Sequence, residues 1–207
     1  LAKQPIAEAT SVSARAFPLA GANNDHDQAY GSVMTRQGLS DAVGTRFFMP
    51  SAELVPYIST YYMTDFALQP GETVSDWLHP EWANVRLSDH ANWQARIGSG
   101  DLAPLPRIIG TGPTGLATHF SVTGPMRSWG IGILPLGWLR LFDAPADRLA
   151  DQTLACAEDT PFADFAPLYD RIFTGAADPA AEAARIDAFL LDLLKRRPPH
   201  EEEARIR

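Results

Sequence analysis

A chain of 207 residues with 45% apolar content is long enough for one domain with an appendage, and apolar enough to bury a core without disulfides or structural metal. Its formal net charge of -8 excludes the broad positive field that neutralises phosphates, so the chain alone is not expected to hold DNA. The single cysteine, Cys156, excludes an intrachain disulfide and any CxxC motif; with no long apolar run and no basic-then-apolar start, neither a membrane span nor export is indicated, and cytoplasm is the expectation.

Residues 1–46 lack apolar periodicity and are rich in Ala, Ser, Gly and Asn, with Asn23-Asn24-Asp25-His26-Asp27 near the centre. They read as a flexible N-terminal arm. From Phe47 onward, short apolar runs are broken by Gly71, Pro80, Gly98-Ser99-Gly100, Gly110 to Gly115 and Gly124-Pro125, which is the punctuation of an all-β domain. Trp93, Ala95 and Ile97 alternate against Asn92, Gln94 and Arg96 as a strand does. The clearest strand pair covers 116–122 and 126–133, read as a hairpin joined at Thr123-Gly124-Pro125, where glycine permits positive φ. In the second of these strands Arg127, Trp129, Ile131 and Ile133 share a face.

After Pro135 the apolar period lengthens from two to three or four. Leu136, Leu139, Leu141 and Phe142 predict a short helix, and Pro145 begins another that carries Leu149. The stripe Phe165, Leu168, Tyr169, Ile172 and Phe173 predicts a helix capped by Thr160 and opened by Pro161, with Pro167 kinking or restarting it. The last helix carries the fullest set of signals: Asp178 caps, Pro179 opens, Glu182 lies in the first turns, and Lys195-Arg196-Arg197 closes it. Its stripe of Ala183, Ile186, Phe189, Leu190, Leu193 and Leu194 buries one face, either on its own domain or against a second subunit.

Gly110-Thr111-Gly112-Pro113-Thr114-Gly115 is a literal G-x-G-x-x-G, but a dinucleotide site needs a helix directly afterwards, and Leu116-Ala117-Thr118-His119-Phe120 alternates like a strand. A loop between strands is the expectation. His79, His90 and His119 could be gathered into a metal site by a barrel, as in metal-binding cupins, yet those use two histidines one residue apart plus a glutamate, and no His-x-His occurs. No metal and no cofactor are expected. The Gly-x-Ser-x-Gly, P-loop and His-Glu-x-x-His motifs are absent, which removes the usual sequence support for nucleophilic, phosphoryl-transfer and metalloprotease chemistry.

A series of landmarks runs through most of the chain: Pro56-Tyr57-Ile58, Leu78-His79-Pro80-Glu81 before a strand over 82–87, Ile109-Gly110 with Gly112-Pro113, Gly124-Pro125-Met126-Arg127 with Gly130-Ile131, Pro135-Leu136-Gly137, and Leu149-Ala150-Asp151. In this layout the chain resembles the amino-terminal half of AraC-family transcriptional regulators, in the branch with a divergent cupin-like sensor. Two features depart from the pattern of that branch. Pro80-Glu81 stands where Asp-Gly is common, and Pro135-Leu136-Gly137 where Pro-Gly-Ala is usual. The resemblance implies an α+β chain: a cupin-like antiparallel β-barrel or sandwich over 47–135, followed by a helical linker and dimerisation segment over 136–207.

It also implies effector sensing and dimerisation without catalysis, with DNA bound only through a helix-turn-helix half outside this chain. The tail from His200 to Arg207 reads as the first turn of a helix cut short. A stand-alone small-molecule carrier and an enzyme built on the same barrel are the alternatives. A small-molecule effector should meet aromatic walls with a few polar anchors. Arg127, Arg86 and His79 are the anchors considered, and Tyr61, Trp77, His79, Trp93, Arg127 and Trp129 are the expected ligand set. A homodimer through Ala183, Ile186, Phe189, Leu190, Leu193 and Leu194 is the expected assembly.

Overall fold

A computed structural model describes residues 8–9, 42–199, 201 and 203. The remainder of the expected arm over 1–46 and of the expected terminal helical turn lies outside the described residues. Eleven strands are described: β1 (Glu8–Ala9), β2 (Val43–Phe48), β3 (Ile58–Phe66), β4 (Thr73–Leu78), β5 (Asn84–Ser88), β6 (Trp93–Ile97), β7 (Ala103–Pro104), β8 (Ile108–Thr111), β9 (Thr118–Thr123), β10 (Met126–Ile133) and β11 (Thr153–Ala155). They form two antiparallel sheets, ordered β1-β2-β3-β10-β5-β8-β11 and β4-β9-β6-β7.

Within these, β3-β10-β5-β8 faces β4-β9-β6-β7, and the chain crosses between sheets at nearly every connection. That double winding is the jelly-roll arrangement to which cupins belong. It also corrects the expected hairpin. Strands β9 and β10 form where the alternation places them, and Gly124 does take positive φ, at 74°. However, β9 pairs with β4 and β6 whereas β10 pairs with β3 and β5, so the turn at Gly124 carries the chain from one sheet to the other.

The helical part begins with α1 (Pro135–Leu141), followed by 3-10 turns over Ala146–Leu149 and Ala163–Phe165, then α2 (Leu168–Ile172) and α3 (Pro179–Arg196). Asp178 caps α3 by accepting from the Ala181 amide at 3.1 Å, as its position before Pro179 predicts. Thr160 does not cap a helix. Its hydroxyl turns back to the carbonyls of Ala155 and Ala157, and α2 starts only after Pro167, which has no amide hydrogen to continue the preceding turn. Between the helices, β11 returns to the large sheet and pairs with β8, so the segment expected to be helical also supplies a strand.

Two cores result. One lies between the sheets at one end, with Phe66, Val74, Trp93, Ile109, Val122 and Met126. The larger lies on the outer face of the large sheet, where Tyr61, Met63, Val85, Leu87, Trp129 and Ile131 are covered by α1, α2 and α3. Here the stripe of α3 finds its partner: Ala183, Ile186, Phe189, Leu190 and Leu193 are all 2% exposed or less within the single chain, and Leu194 is half-buried. That stripe is closed off by its own domain and offers no free face for a second subunit.

Polar contacts fix the same seam. Glu182, buried on α3, accepts from the Trp129 indole at 2.7 Å and pairs with Arg127 at 3.0 Å. Asp187, one and a half turns further along, accepts from the Tyr61 hydroxyl at 3.0 Å and the Ser51 amide at 2.8 Å. Buried carboxylates with two donors each hold a helix in one register, because sliding it would strand the charges.

Candidate functional site

One face of the large sheet is sealed by the helices, so the chemistry of an enclosed site must come from the other face, between the sheets. Strand alternation and register decide which residues those are. Tyr62 on β3, Gly130 on β10, Arg86 on β5 and Ile109 on β8 lie side by side in one inward row. Gly132, Asn84, Thr111 and Thr153 make the next. Gly130 is needed in the first row: a Cβ there would sit 1.9 Å from the Tyr62 ring, which lies across the strand.

The rows are polar at the end of the barrel away from the inter-sheet core. Arg86 Nη2 donates to both oxygens of the Glu81 carboxylate, at 2.6 and 2.8 Å, and Nη1 donates to Asn84 Oδ1 at 2.5 Å. It also lies over the Tyr62 ring, 5.9 Å from the centroid. The Tyr62 hydroxyl is buried and makes no hydrogen bond of ordinary geometry among the described residues. Burial pushes its pKa above the usual phenol value, the nearby Arg86 charge pulling the other way. Burial works against the Arg86 charge too, yet Tyr62 and Glu81 together hold its pKa above the usual value, so the guanidinium stays ionised.

Glu81 reaches this row from the connection between β4 and β5. Its backbone is clamped to a second loop at the same end: Glu81 N donates to Thr114 Oγ1 and Thr114 N to Glu81 O, each at 2.9 Å. That second loop is in turn held from the helical segment. Asp151 Oδ1 accepts from the amides of Gly115 at 2.8 Å and Leu116 at 3.1 Å, and Asp151 itself adopts a positive φ of 57°.

The residues expected to share a ligand cavity are not brought together. Tyr61 and Trp129 are fully buried under α3, and Arg127 on the same face is engaged by Glu182. Trp93 belongs to the inter-sheet core and donates to Pro106 O at 3.1 Å. Trp77 sits on the outer face of the small sheet, 51% exposed, stacked on His119 at 4.6 Å with Arg96 over its ring; His79 is exposed just beyond the same strand. Of the three anchors considered from sequence, Arg86 is the one on the inward face. Glu81 is marked in the sequence only as the departure Pro80-Glu81.

The glycine motif proves to be a packing surface. A Cβ on Gly110 would meet the Phe162 ring at 2.1 Å, and one on Gly112 would meet Leu149 O at 1.9 Å, so both glycines let the helical segment lie directly on β8 and its exit. A strand follows the motif, as expected, and not a helix.

The histidines do not converge: His119 stacks on Trp77 outside the small sheet, and His90 pairs with Asp89 in the turn after β5. Among the described residues no group of three His, Cys, Asp or Glu side chains could hold a metal ion. The inward cluster does not fit one either, since a guanidinium at its centre would repel a cation. Among the described residues no helix is long and apolar enough to cross a membrane.

No family model matches the chain, and no curated protein matches it. Among solved structures it is similar to an oxalate oxidase in complex with the substrate analogue glycolate, at 13% identity over 86% of this chain and 84% of that one, with a TM-score of 0.31. It is similar also to ycfD of E. coli, at 12% identity over 81% of this chain and 53% of that one, with a TM-score of 0.30. One expectation is corrected here. With an oxidase among the structures it resembles, the expectation that the chain is not an enzyme is withdrawn. What stands is a two-sheet domain of antiparallel strands with a few helices.

Proposed function

We propose that this chain is the effector-sensing half of an AraC-type transcription regulator, and that its jelly roll takes up a small polar molecule at Arg86, Tyr62 and Asn84. The landmarks from Pro56 to Asp151 support the regulator reading. The binding reading rests on one observation: a guanidinium and a buried phenol hydroxyl, close enough to interact but with no hydrogen bond of ordinary geometry on the hydroxyl, share the inward face of the large sheet. A buried hydroxyl short of a well-formed hydrogen bond is costly, by up to about 1–3 kcal/mol when wholly unpaired, so a ligand acceptor placed beside Tyr62 is favoured by completing it. The strand of Tyr62 carries Tyr61 on its other face, and β10, which pairs with the strands of both Tyr62 and Arg86, carries Trp129 there, each against α3, which gives a bound molecule a route to the helices. DNA would be read by a helix-turn-helix half outside this chain. A homodimer belongs to the proposal, built from surfaces other than the buried stripe of α3.

The test is a panel of small polar metabolites titrated into the purified chain by calorimetry, with the recovered ligand analysed afterwards. Saturable binding of an unaltered molecule, weakened by Arg86→Gln and by Tyr62→Phe, supports the proposal. Binding indifferent to both substitutions would move the site elsewhere, and recovery of a chemically altered ligand would give the cluster a catalytic role instead.

A further inference from the structure

We infer that the Glu81 carboxylate is an internal stand-in for a carboxylate on the ligand, and that its displacement from Arg86 is passed through Thr114 to Asp151. This rests on the reading that the jelly roll binds its ligand at Arg86.

Both Glu81 oxygens accept from one guanidinium nitrogen, Arg86 Nη2, a charge-assisted contact that any carboxylate of similar reach can make. Arg86 is fixed on a central strand, its side chain 14% exposed, whereas Glu81 comes from a loop and is 31% exposed. The acid is thus the more exposed partner, and its side chain is the one with solvent to swing into. A ligand carboxylate taking its place needs no new cavity, because Glu81 vacates a space of matching size and charge. It also gains something Glu81 does not have, since the Tyr62 hydroxyl beside the guanidinium goes unused by Glu81. A neutral ligand would leave the Arg86 and Glu81 charges paired with each other and has no reason to displace either. Glu81 competes at the high effective concentration of a tethered group, so it weakens simple carboxylates and selects those with further contacts.

The consequence for the rest of the molecule follows from three consecutive residues. Thr114 is bonded to the Glu81 backbone through both its amide and its hydroxyl, while the next two amides, of Gly115 and Leu116, are bonded to Asp151. Asp151 N in turn donates to Pro113 O at 3.1 Å. A loop gripped on one side by Glu81 and on the other by Asp151 cannot follow one without disturbing the other. Asp151 holds a left-handed backbone conformation that few non-glycine residues adopt, so losing its two amide partners removes what supports that conformation.

The experiment uses the whole chain, with sodium acetate as probe and acetamide as its neutral counterpart, titrated into wild type, Glu81→Ala and the double variant Glu81→Ala with Tyr62→Phe. Glu81→Ala should bind acetate at least about tenfold more tightly than wild type, as expected for a charge-assisted pair freed from an internal competitor. Adding Tyr62→Phe should reverse part of that gain, and acetamide should show none. In the ligand-free Glu81→Ala protein, the Gly115 and Leu116 amides should shift in NMR spectra and exchange hydrogen faster. If Glu81→Ala does not fold, Glu81→Gln, which keeps the shape and removes the charge, carries the same comparison. Equal acetate affinity in wild type and variant, or equal gains for acetate and acetamide, overturns the stand-in; unmoved Gly115 and Leu116 amides overturn the relay. A neutral metabolite that binds through Arg86 and Tyr62 while Glu81→Ala gains nothing for acetate would sink this inference and leave the binding site itself intact.

Discussion

The Trp129 indole on β10 donates to the Glu182 carboxylate on α3 across a separation of 53 residues, and both groups are buried. This bond joins the central strand of the large sheet to the helix that covers it. Arg127 pairs with the other oxygen of the same carboxylate. Glu182→Ala would leave a buried guanidinium and an indole N–H without their acceptor, so we expect a loss of about 3–5 kcal/mol, read from urea unfolding midpoints at constant slope. Glu182→Gln keeps an acceptor for the indole and should cost less. Equal stability for wild type and both variants would mean that the seam is held by apolar packing alone.

The left-handed Asp151 gives a second test. Asp151→Ala loses the acceptor for Gly115 and Leu116 and keeps a Cβ in the left-handed conformation, whereas Asp151→Gly loses the acceptor but relieves that strain. The glycine variant should therefore be more stable than the alanine variant by about 1 kcal/mol, a difference visible in thermal midpoints. The reverse order would show that the backbone there is not under strain.

Gly110→Ala drives a methyl into the Phe162 ring and should destabilise by about 1–3 kcal/mol. Introduced together with Phe162→Ala, the same change should cost distinctly less than it does alone, because the obstructing ring is gone. Additive losses in the double variant would place the strain elsewhere than between these two residues.

The alkaline limb of stability follows from three groups whose pKa values are raised in the folded chain. Burial pushes the Cys156 thiol up to about 12, and burial with the adjacent Asp187 charge raises Tyr61, while burial raises Tyr62. In the unfolded chain each ionises near its usual value, so above about pH 9 the unfolded state binds fewer protons than the folded one. Their contribution to stability is thus complete below that pH and is lost as pH rises. We expect unfolding midpoints in urea to fall steeply between about pH 9 and 11, and Cys156→Ser to flatten the first part of the decline. A flat profile across that window would show these groups ionising freely in the folded chain.

Leu190→Asp and Leu194→Asp now part company. Leu190 is fully buried, so aspartate there should prevent folding, while half-buried Leu194 should tolerate it with a modest loss. Far-ultraviolet circular dichroism separates the two outcomes; a folded monomer from Leu190→Asp would restore the subunit interface to that stripe.

What the sequence made legible was local. The limits of α3 follow from Asp178, Pro179 and the basic residues at its end, each of which acts within one turn. The surface that its stripe covers was not legible, since amphipathicity says that a face is buried but not by what. The same limit applies to the site. Alternation on β10 assigns Arg127 to the face of Trp129 and Gly130 to the other, yet the large sheet is covered on both sides, by helices and by the small sheet, so polarity alone does not reveal which face looks inward. Glycines at 130 and 132 are the sequence trace of the inward face, leaving room for Tyr62 and the Ser59 side chain. Strand β10 was found and its partners were not, because a Gly-Pro turn looks the same whether the chain doubles back or changes sheets.

Because the outer core is shared between the strands and the helices that follow them, a cut at residue 135 does not release a sensor module. It would uncover Val85, Leu87, Trp129 and Ile131 together, a contiguous oily wall on a piece expected to precipitate or recruit chaperones. Anyone fusing this barrel to a reporter or grafting it onto another reader should therefore carry residues 136–196 with it and place the junction after α3.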